Sequence, residues 1–446
     1  FPTRRSSDLF TGTWPHVNGG WANSMALDRH TRHLGQRLQS LGYHTGYIGK
    51  WHLDGGDYFG YGECPEGWDP AYWYDMRRYL EELSDDDRRR SRRFETIYEE
   101  GFDASFTYAH RCTDRAVRFL QQHGRERFLL VLSYDEPHGP SLCPPRFMEM
   151  HRQTELPRSP NLADTLEGKP EHQQVWAGSA RFKDRDEVRV RAPRLFACNS
   201  FVDDEIGRVL ATIEQEVPEA LVVYTSDHGD ALGSHCLGGK GPAMYEEITR
   251  VPLLVAWPGV APAGASCPHP FSHIDLVPTL IELAGGTIPG SIQGRSVASV
   301  FADPATRLQD VIFMEFGRYE IDHDTFGGFQ PVRCAFDGRH KLVVNLLSSD
   351  ELYDLVTDPA EGNNLIADPA SREVRNRLHE RLLEWMNVTR DPFRGYYWER
   401  RPWRDDARPA TWAHTGMTRQ REPDDGEKRQ LDYDTGLAMA AASRRK

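Results

Sequence analysis

The chain has 446 residues, 39% of them hydrophobic and 11% aromatic, and a formal net charge of −13. That length exceeds one typical domain and predicts a large domain with a smaller one, while the acidic balance excludes nucleic acid as a main partner, which asks for a basic face. No apolar run approaches the ~18 residues of a membrane span, and seven scattered cysteines without a CxxC pair predict incidental buried thiols rather than structural zinc or a disulfide framework.

Residues 1–9, FPTRRSSDL, are polar and basic with no apolar period, and the text changes character at Phe10. Thr31 is the expected cap of a helix carrying Leu34, Leu38 and Leu41 on one stripe, ended by Gly42. HTGYIG follows as a short strand. A helical period runs from beyond Asp103 through Val117 and Leu120. RFLLVLSYDEPH then reads as a fully buried strand that ends in polar residues. Residues 196–217 form a helix with Val202, Ile206, Val209 and Ile213 on its apolar face. ALVVYTSDHGD is a second buried strand with a polar end, and VPLLVAWPG a third. HIDLVPTLIELAGG is a helix closed by glycines. The DDDRRRSRR run over 85–93 predicts a solvated face.

Strand and helix alternating in this way predict an α/β fold: a mainly parallel sheet sandwiched by helices. Ligands then sit beyond the carboxyl ends of the strands. Past residue 301 the pattern changes. VIFMEF, PVRCAFDGRHKLVVN and ELYDL read as short antiparallel strands, with Asp337-Gly338 as a hairpin turn. A helix with Val374, Leu378, Leu382 and Trp385 at helical spacing follows. The expected division is residues 10–301 as the α/β domain, 302–390 as a small α+β domain and 391–446 as an irregular tail.

Three polar clusters fall where that fold puts a site. In GYHTGYIGKWHL, Lys50 and His52 follow a strand-like piece, and in extended chain residues two apart point the same way. They offer a cation and an imidazole to one ligand, or else are a surface lysine and a half-buried histidine. In SYDEPHGP, His138 stands past a proline that would fix the turn, as a general acid or as an ordinary loop histidine. In TSDHGDALGSHCLGGKG, Asp227 and His228 end a strand and suit a divalent cation, and Lys240 lies among glycines where backbone approaches a ligand closely. The bland alternative there is a capping aspartate and a surface loop. Two lysines, histidines and a cation together fit a tetrahedral anion, a sulfuryl or phosphoryl group, and confine positive charge locally in an acidic protein.

These motifs, in this order, resemble the sulfatases of the alkaline-phosphatase superfamily over almost the whole chain. GYHTGYIGKWHL is similar to the family's second signature. SDHGDALGSH, the following lysine and YEEITRVPLLVAWPG resemble its metal and lysine segment, and SHIDLVPTLIELAG and ELYDLVTDPAEGNNL its later landmarks. The resemblance implies that Lys50 supports the nucleophile and contacts sulfate. His52 would be the base that breaks down a covalent sulfo-intermediate. His138 and Lys240 would bind ester oxygens and assist the leaving alcohol. Asp227 and His228 would bind the cation, usually Ca2+. Many members carry Asn at the position of His228; the histidine also occurs in phosphonate monoester and phosphodiester hydrolases and leaves Mn2+ or Mg2+ as alternatives. The partner implied is a small-molecule or oligosaccharide sulfate ester.

The family's first signature runs Cys or Ser, any residue, Pro, Ser, Arg, two of any kind, Leu, any, Thr, Gly. Leu9, Thr11 and Gly12 match its end, so the nucleophile position falls on Pro2 and the arginine on Ser6. In the family the Cys or Ser becomes formylglycine; neither residue here can do that work. The expectation is that residues 1–9 are foreign, joined to a gene truncated before its first strand and first metal-ligand aspartates. The chain is then expected to be inactive, to bind metal weakly and to be poorly stable. The alternatives are a phosphonate monoester or phosphodiester hydrolase, and a catalytically dead protein that binds sulfated carbohydrate through Tyr396, Tyr397, Trp398, Trp403 and Trp412 and the arginines between them.

Overall fold

Residues 7–22, 25–56, 58–155, 160–178, 192–318, 329–404, 406–407 and 435–437 are described by a computed structural model of the chain. Pro2, Ser6 and Trp412 lie outside them. The first described segment is a short helix, α1 (Ser7–Thr11), with Ser7 and Asp8 buried. Helix α2 (Leu34–Ser40) carries the leucine stripe. Its cap is His33 rather than Thr31: the Gln36 side chain accepts the His33 N–H at 3.1 Å, while Thr31 donates its N–H to the Asp28 carbonyl in the preceding turn.

Strand β1 (His44–Gly49) is the centre of a parallel three-stranded sheet, with β2 (Trp73–Tyr74) on one side. Helix α3 (Asp85–Arg90) is the charge run; its aspartates and arginines pair three residues apart on an exposed face, and no residue of it is buried. Helix α4 (Tyr108–His123) begins later than Asp103, because Thr107 accepts the His110 N–H as its cap. Strand β3 (Phe128–Ser133) pairs with the other side of β1 over six residues. Helix α5 (Pro193–Glu216) follows, then β4 (Val222–Thr225), β5 (Leu253–Ala256) and helix α6 (Leu276–Leu283).

Period-two alternation in β1 sorts the two faces of the sheet. Tyr47 packs with Leu34 and Leu38 of α2 and with Val277 and Ile281 of α6. Ile48 points the other way, to Cys112, Ala116 and Leu120 of α4 and Val209 of α5. The helices therefore sandwich the parallel sheet as expected. The expectation of three fully buried strands needs correction. All six β3 residues are half-buried, and β4 and β5 form a separate antiparallel pair with Tyr224 44% and Leu254 63% exposed. Among the described residues β3 and β4 each have one hydrogen-bonded neighbour. A buried strand needs cover on both edges and both faces, and these have less.

The smaller region is an antiparallel meander, β6 (Ile312–Phe316), β7 (Val332–Phe336), β8 (His340–Asn345) and β9 (Glu351–Asp354). Gly338, at φ 93°, makes the expected turn between β7 and β8. Helix α7 (Arg372–Val388) lays Leu378, Leu382, Leu383 and Met386 on Ala335, Leu342, Val344 and Leu352. A short helix, α8 (Tyr396–Glu399), sets Trp398 into that same core. All seven cysteines are free thiols.

Candidate functional site

Two glycines decide where side chains leave the sheet. At Gly49, φ is 122° and a Cβ would lie 1.9 Å from the Ser133 carbonyl oxygen; at Gly229 a Cβ would lie 1.9 Å from the Glu247 carbonyl oxygen. Only glycine permits such approaches. Lys50 then donates its N–H to the Ser133 carbonyl at 2.8 Å, which brings the ends of β1 and β3 together.

Lys50, just past β1, places Nζ 2.9 Å from Asp135 Oδ1 and 4.6 Å above the Tyr58 ring. The Tyr58 hydroxyl donates to Asp135 Oδ2. The His138 ring packs on Tyr58 with centroids 4.8 Å apart, and the Arg92 guanidinium lies 5.2 Å from the Tyr58 centroid and donates to the Gly139 carbonyl at 3.3 Å. Burial works to raise the Asp135 carboxyl, but Lys50, with His138 and Tyr58, outweighs it and holds the group below its ordinary value. Desolvation by the surrounding protein, then the charges of Lys50 and Lys240, lower His138; at neutral pH its imidazole is uncharged. Burial first, then the Asp135 charge, pushes Glu136 up to about 8, and its carboxyl accepts the Ala109 N–H at 2.9 Å.

The second cluster lies beyond β4. His228 donates Nδ1–H to the Gly229 carbonyl at 2.7 Å, which leaves the Nε2 lone pair facing Lys240 Nζ at 3.1 Å and Asp227 Oδ2 at 3.4 Å. Lys240 rides on a loop closed by Asp230, whose Oδ1 accepts from Leu232 and Gly239. Beneath the loop, buried His235 stacks on Tyr245 at 3.7 Å and meets Asp164 at 2.6 Å and Lys169 at 3.1 Å. Both lysine charges act on His138, so the loops after β3 and β4 lie near one another.

The structure thus joins Lys50 with His138, and Asp227 with His228 and Lys240. His52 is half-buried with φ 53°. The chain is not extended there, so alternation does not put it on the face of Lys50; the left-handed turn around buried Trp51 sets its place instead. As a cation site, Asp227 and His228 supply a carboxylate and an imidazole that converge, but a hard cation takes about six to eight donors. Among the described residues no third His, Cys, Asp or Glu completes a cluster with them. The donor set fits one side of a cage only.

Four groups escape the sequence reading. Asp135 stands in the quoted strand end and was legible there. Tyr58 follows a loop without pattern. Arg92 hid in a run read as solvated, which holds for α3 but not for this residue. His273 is buried beside Ser226 and Asp227, and burial pushes its imidazole down to about 4. The aromatic tail divides: Tyr396 and Tyr397 are exposed, Trp398 is core, and Trp403 donates to Asp350 at 2.7 Å. Of the arginines between them, Arg401 pairs with Asp350 and Arg404 with Glu380, while exposed Arg400 lies over the Tyr396 ring.

A family model described as Sulfatase matches residues 5–286, and one described as N-sulphoglucosamine sulphohydrolase, C-terminal, matches residues 235–388. The uncharacterized sulfatase YidJ of Escherichia coli (strain K12) is 44% identical over 444 residues, spanning 98% of this chain and 87% of the relative. An N-acetylglucosamine-6-O-sulfatase of Bacteroides thetaiotaomicron is 24% identical, spanning 86% of this chain and 77% of the relative. Among solved structures, BT4656 in complex with its substrate D-glucosamine-2-N,6-O-disulfate superposes with a TM-score of 0.69 at 20% identity, over 88% of this chain and 89% of that one. A phosphonate monoester hydrolase of Agrobacterium radiobacter gives 0.69 at 20% identity over 87% of both chains. The family match over more than half the chain, with the YidJ identity, shows that this chain belongs to the sulfatase family of the alkaline phosphatase superfamily, the sulfuric ester hydrolases.

Proposed function

We propose that the site takes a sulfate monoester on a carbohydrate, with Lys50 and Lys240 meeting the sulfuryl oxygens. The observation that carries this reading is the pair of lysines, Lys50 held by Asp135 at 2.9 Å and Lys240 beside His228 at 3.1 Å, whose charges both act on the His138 imidazole. The sulfated glucosamines named for two of the relatives support a sugar as the alcohol. His138 donates Nδ1–H to the Gly139 carbonyl, so its Nε2 carries a lone pair. An arriving sulfate anion offsets the lysine charges, His138 takes up a proton at Nε2, and that proton is positioned for the ester oxygen as the alcohol leaves. His52 acts as the base of the later step. Asp227 and His228 hold one side of the cation, Ca2+ or else Mn2+ or Mg2+, which would add positive charge against the sulfate oxygens. In the family a formylglycine hydrate supplies the attacking oxygen; Pro2 stands in its register here, so this chain is expected to bind the ester without turnover.

The test is calorimetric binding of N-acetylglucosamine 6-sulfate and of N-acetylglucosamine to the 446-residue chain. Binding that requires the sulfate, weakened about tenfold or more by Lys240→Ala, is expected, since a charge-assisted contact is lost. Equal binding of both sugars overturns the reading. His228 beside Asp227 also suits a phosphonate monoester; tighter binding of phenyl phosphonate than of the sulfated sugar assigns the site to that substrate instead. Turnover of 4-nitrophenyl sulfate by this chain would refute the placing of the nucleophile at Pro2.

A further inference from the structure

At the amino ends of the strands, opposite Lys50 and His138, two histidines aim at one carboxylate. His44 opens β1, His123 closes α4, and Glu126 stands in the turn from α4 to β3. His44 Nδ1 lies 3.2 Å from Glu126 Oε2, and His123 Nδ1 lies 2.9 Å from Oε1. The ring centroids are 4.0 Å apart. One ligand atom from each of the three residues lies within 4.8 Å of the other two.

The far nitrogens are committed. His44 Nε2 is 2.6 Å from Asp69 Oδ2, a group that only accepts, so this nitrogen carries a proton. His123 Nε2 is 3.0 Å from the Tyr72 hydroxyl, whose own proton goes to Gln122 Oε1, so this nitrogen donates as well. In neutral rings both Nδ1 atoms are then lone pairs facing a carboxylate. Three acceptors directed at one another need positive charge between them. A single divalent cation between them satisfies all three at once.

We propose that His44, His123 and Glu126 bind a divalent transition ion of the zinc type. Two imidazoles and a carboxylate are a ligand set zinc accepts, and the nitrogen donors favour it over calcium. Asp69 and Tyr72 hold the far nitrogens, the arrangement that orients metal-bound imidazoles. Phe119 packs edge-on against His44 at 5.5 Å and tilted against His123 at 5.3 Å and steadies both rings. Glu126, with its side chain 52% exposed, leaves a remaining coordination position open to water. The ion ties the start of β1 to the α4–β3 turn, and it shares no residue with the Asp227 cluster.

The test uses the full chain, freed of metal with a chelator and titrated with zinc chloride in the presence of excess calcium chloride. One zinc equivalent is expected that survives Asp227→Asn and is lost in His44→Ala and in His123→Ala. Asp69→Asn is expected to weaken it about 10–100-fold, as loss of an orienting partner does. Cobalt in place of zinc should give visible absorption of a low-coordinate nitrogen–oxygen site, absent in His123→Ala. Glu126→Gln keeps the turn and its bonding shape, so it reports on the site even if a histidine variant misfolds. Zinc uptake by the histidine variants equal to that of the parent chain overturns the proposal. So does no zinc uptake by the parent chain.

Discussion

Glu136 is a carboxyl group with one oxygen sealed from water next to a carboxylate that Lys50 keeps ionised. Its ordinary value is 4.5 and in the fold it stands at about 8. Between those values the folded chain holds a proton that the unfolded chain has released, so stability falls as pH rises through that window. Glu136→Gln keeps an oxygen for the Ala109 N–H and removes the titration. It should raise the melting temperature at pH 8.5 by several degrees and leave it nearly unchanged at pH 4; an equal change at both values would show that the group does not titrate there. At this scale Lys50, His138, Asp227 and His228 were legible, because polar residues that follow apolar strands stand out from their surroundings, and Lys240 from the glycines around it. Tyr58 was not: its meeting with Asp135 spans 77 residues and no local pattern encodes it.

Elements place these residues by close approach. Gly229 donates its N–H to the Ile248 carbonyl at 3.0 Å, and the loop holding Asp227 and His228 leans on that contact. Gly229→Ala puts a methyl group into the Glu247 carbonyl, with no side chain there to give way. A loss of about 2 kcal/mol or more in urea unfolding is expected, together with loss of sulfated-sugar binding; a cost under about 0.5 kcal/mol would mean that the loop simply shifts. Strand existence was legible from apolar runs, but strand burial was not. Composition reads β5 as buried, whereas its residues alternate in exposure beside a single partner. Cover is a property of neighbours, which a strand's own residues do not carry.

Across the molecule, buried charge joins the regions. Arg333 of β7 bonds Asp391 at 2.6 and 3.1 Å and stands 3.5 Å from Glu315 of β6, which in turn holds His16 at 2.5 Å. Lys341 of β8 reaches across to Glu246 at 2.7 Å and Glu361 at 2.9 Å. Arg333→Ala strands buried carboxylates and should cost about 3–5 kcal/mol, whereas replacing Arg333 and Asp391 together by apolar residues of similar volume should cost clearly less. Urea unfolding decides this, and equal costs for the two variants would show that packing rather than charge holds the junction. A single transition seen by both tryptophan fluorescence and circular dichroism is expected, because the Glu315–His16 and Lys341–Glu246 ties join the antiparallel meander to residues outside it.

The sequence by itself determined the α/β class, the position of most helices and strands, and the polar groups at strand ends, since these follow from local periodicity and from residue types that rarely end a strand by accident. The tertiary structure decided which of those groups meet: that Lys50 pairs with Asp135, that Arg92 leaves its charge run for Tyr58 and Gly139, that His52 sits in a left-handed turn, and that His44, His123 and Glu126 converge. These depend on distances between segments far apart in the chain, and only the packed fold sets them.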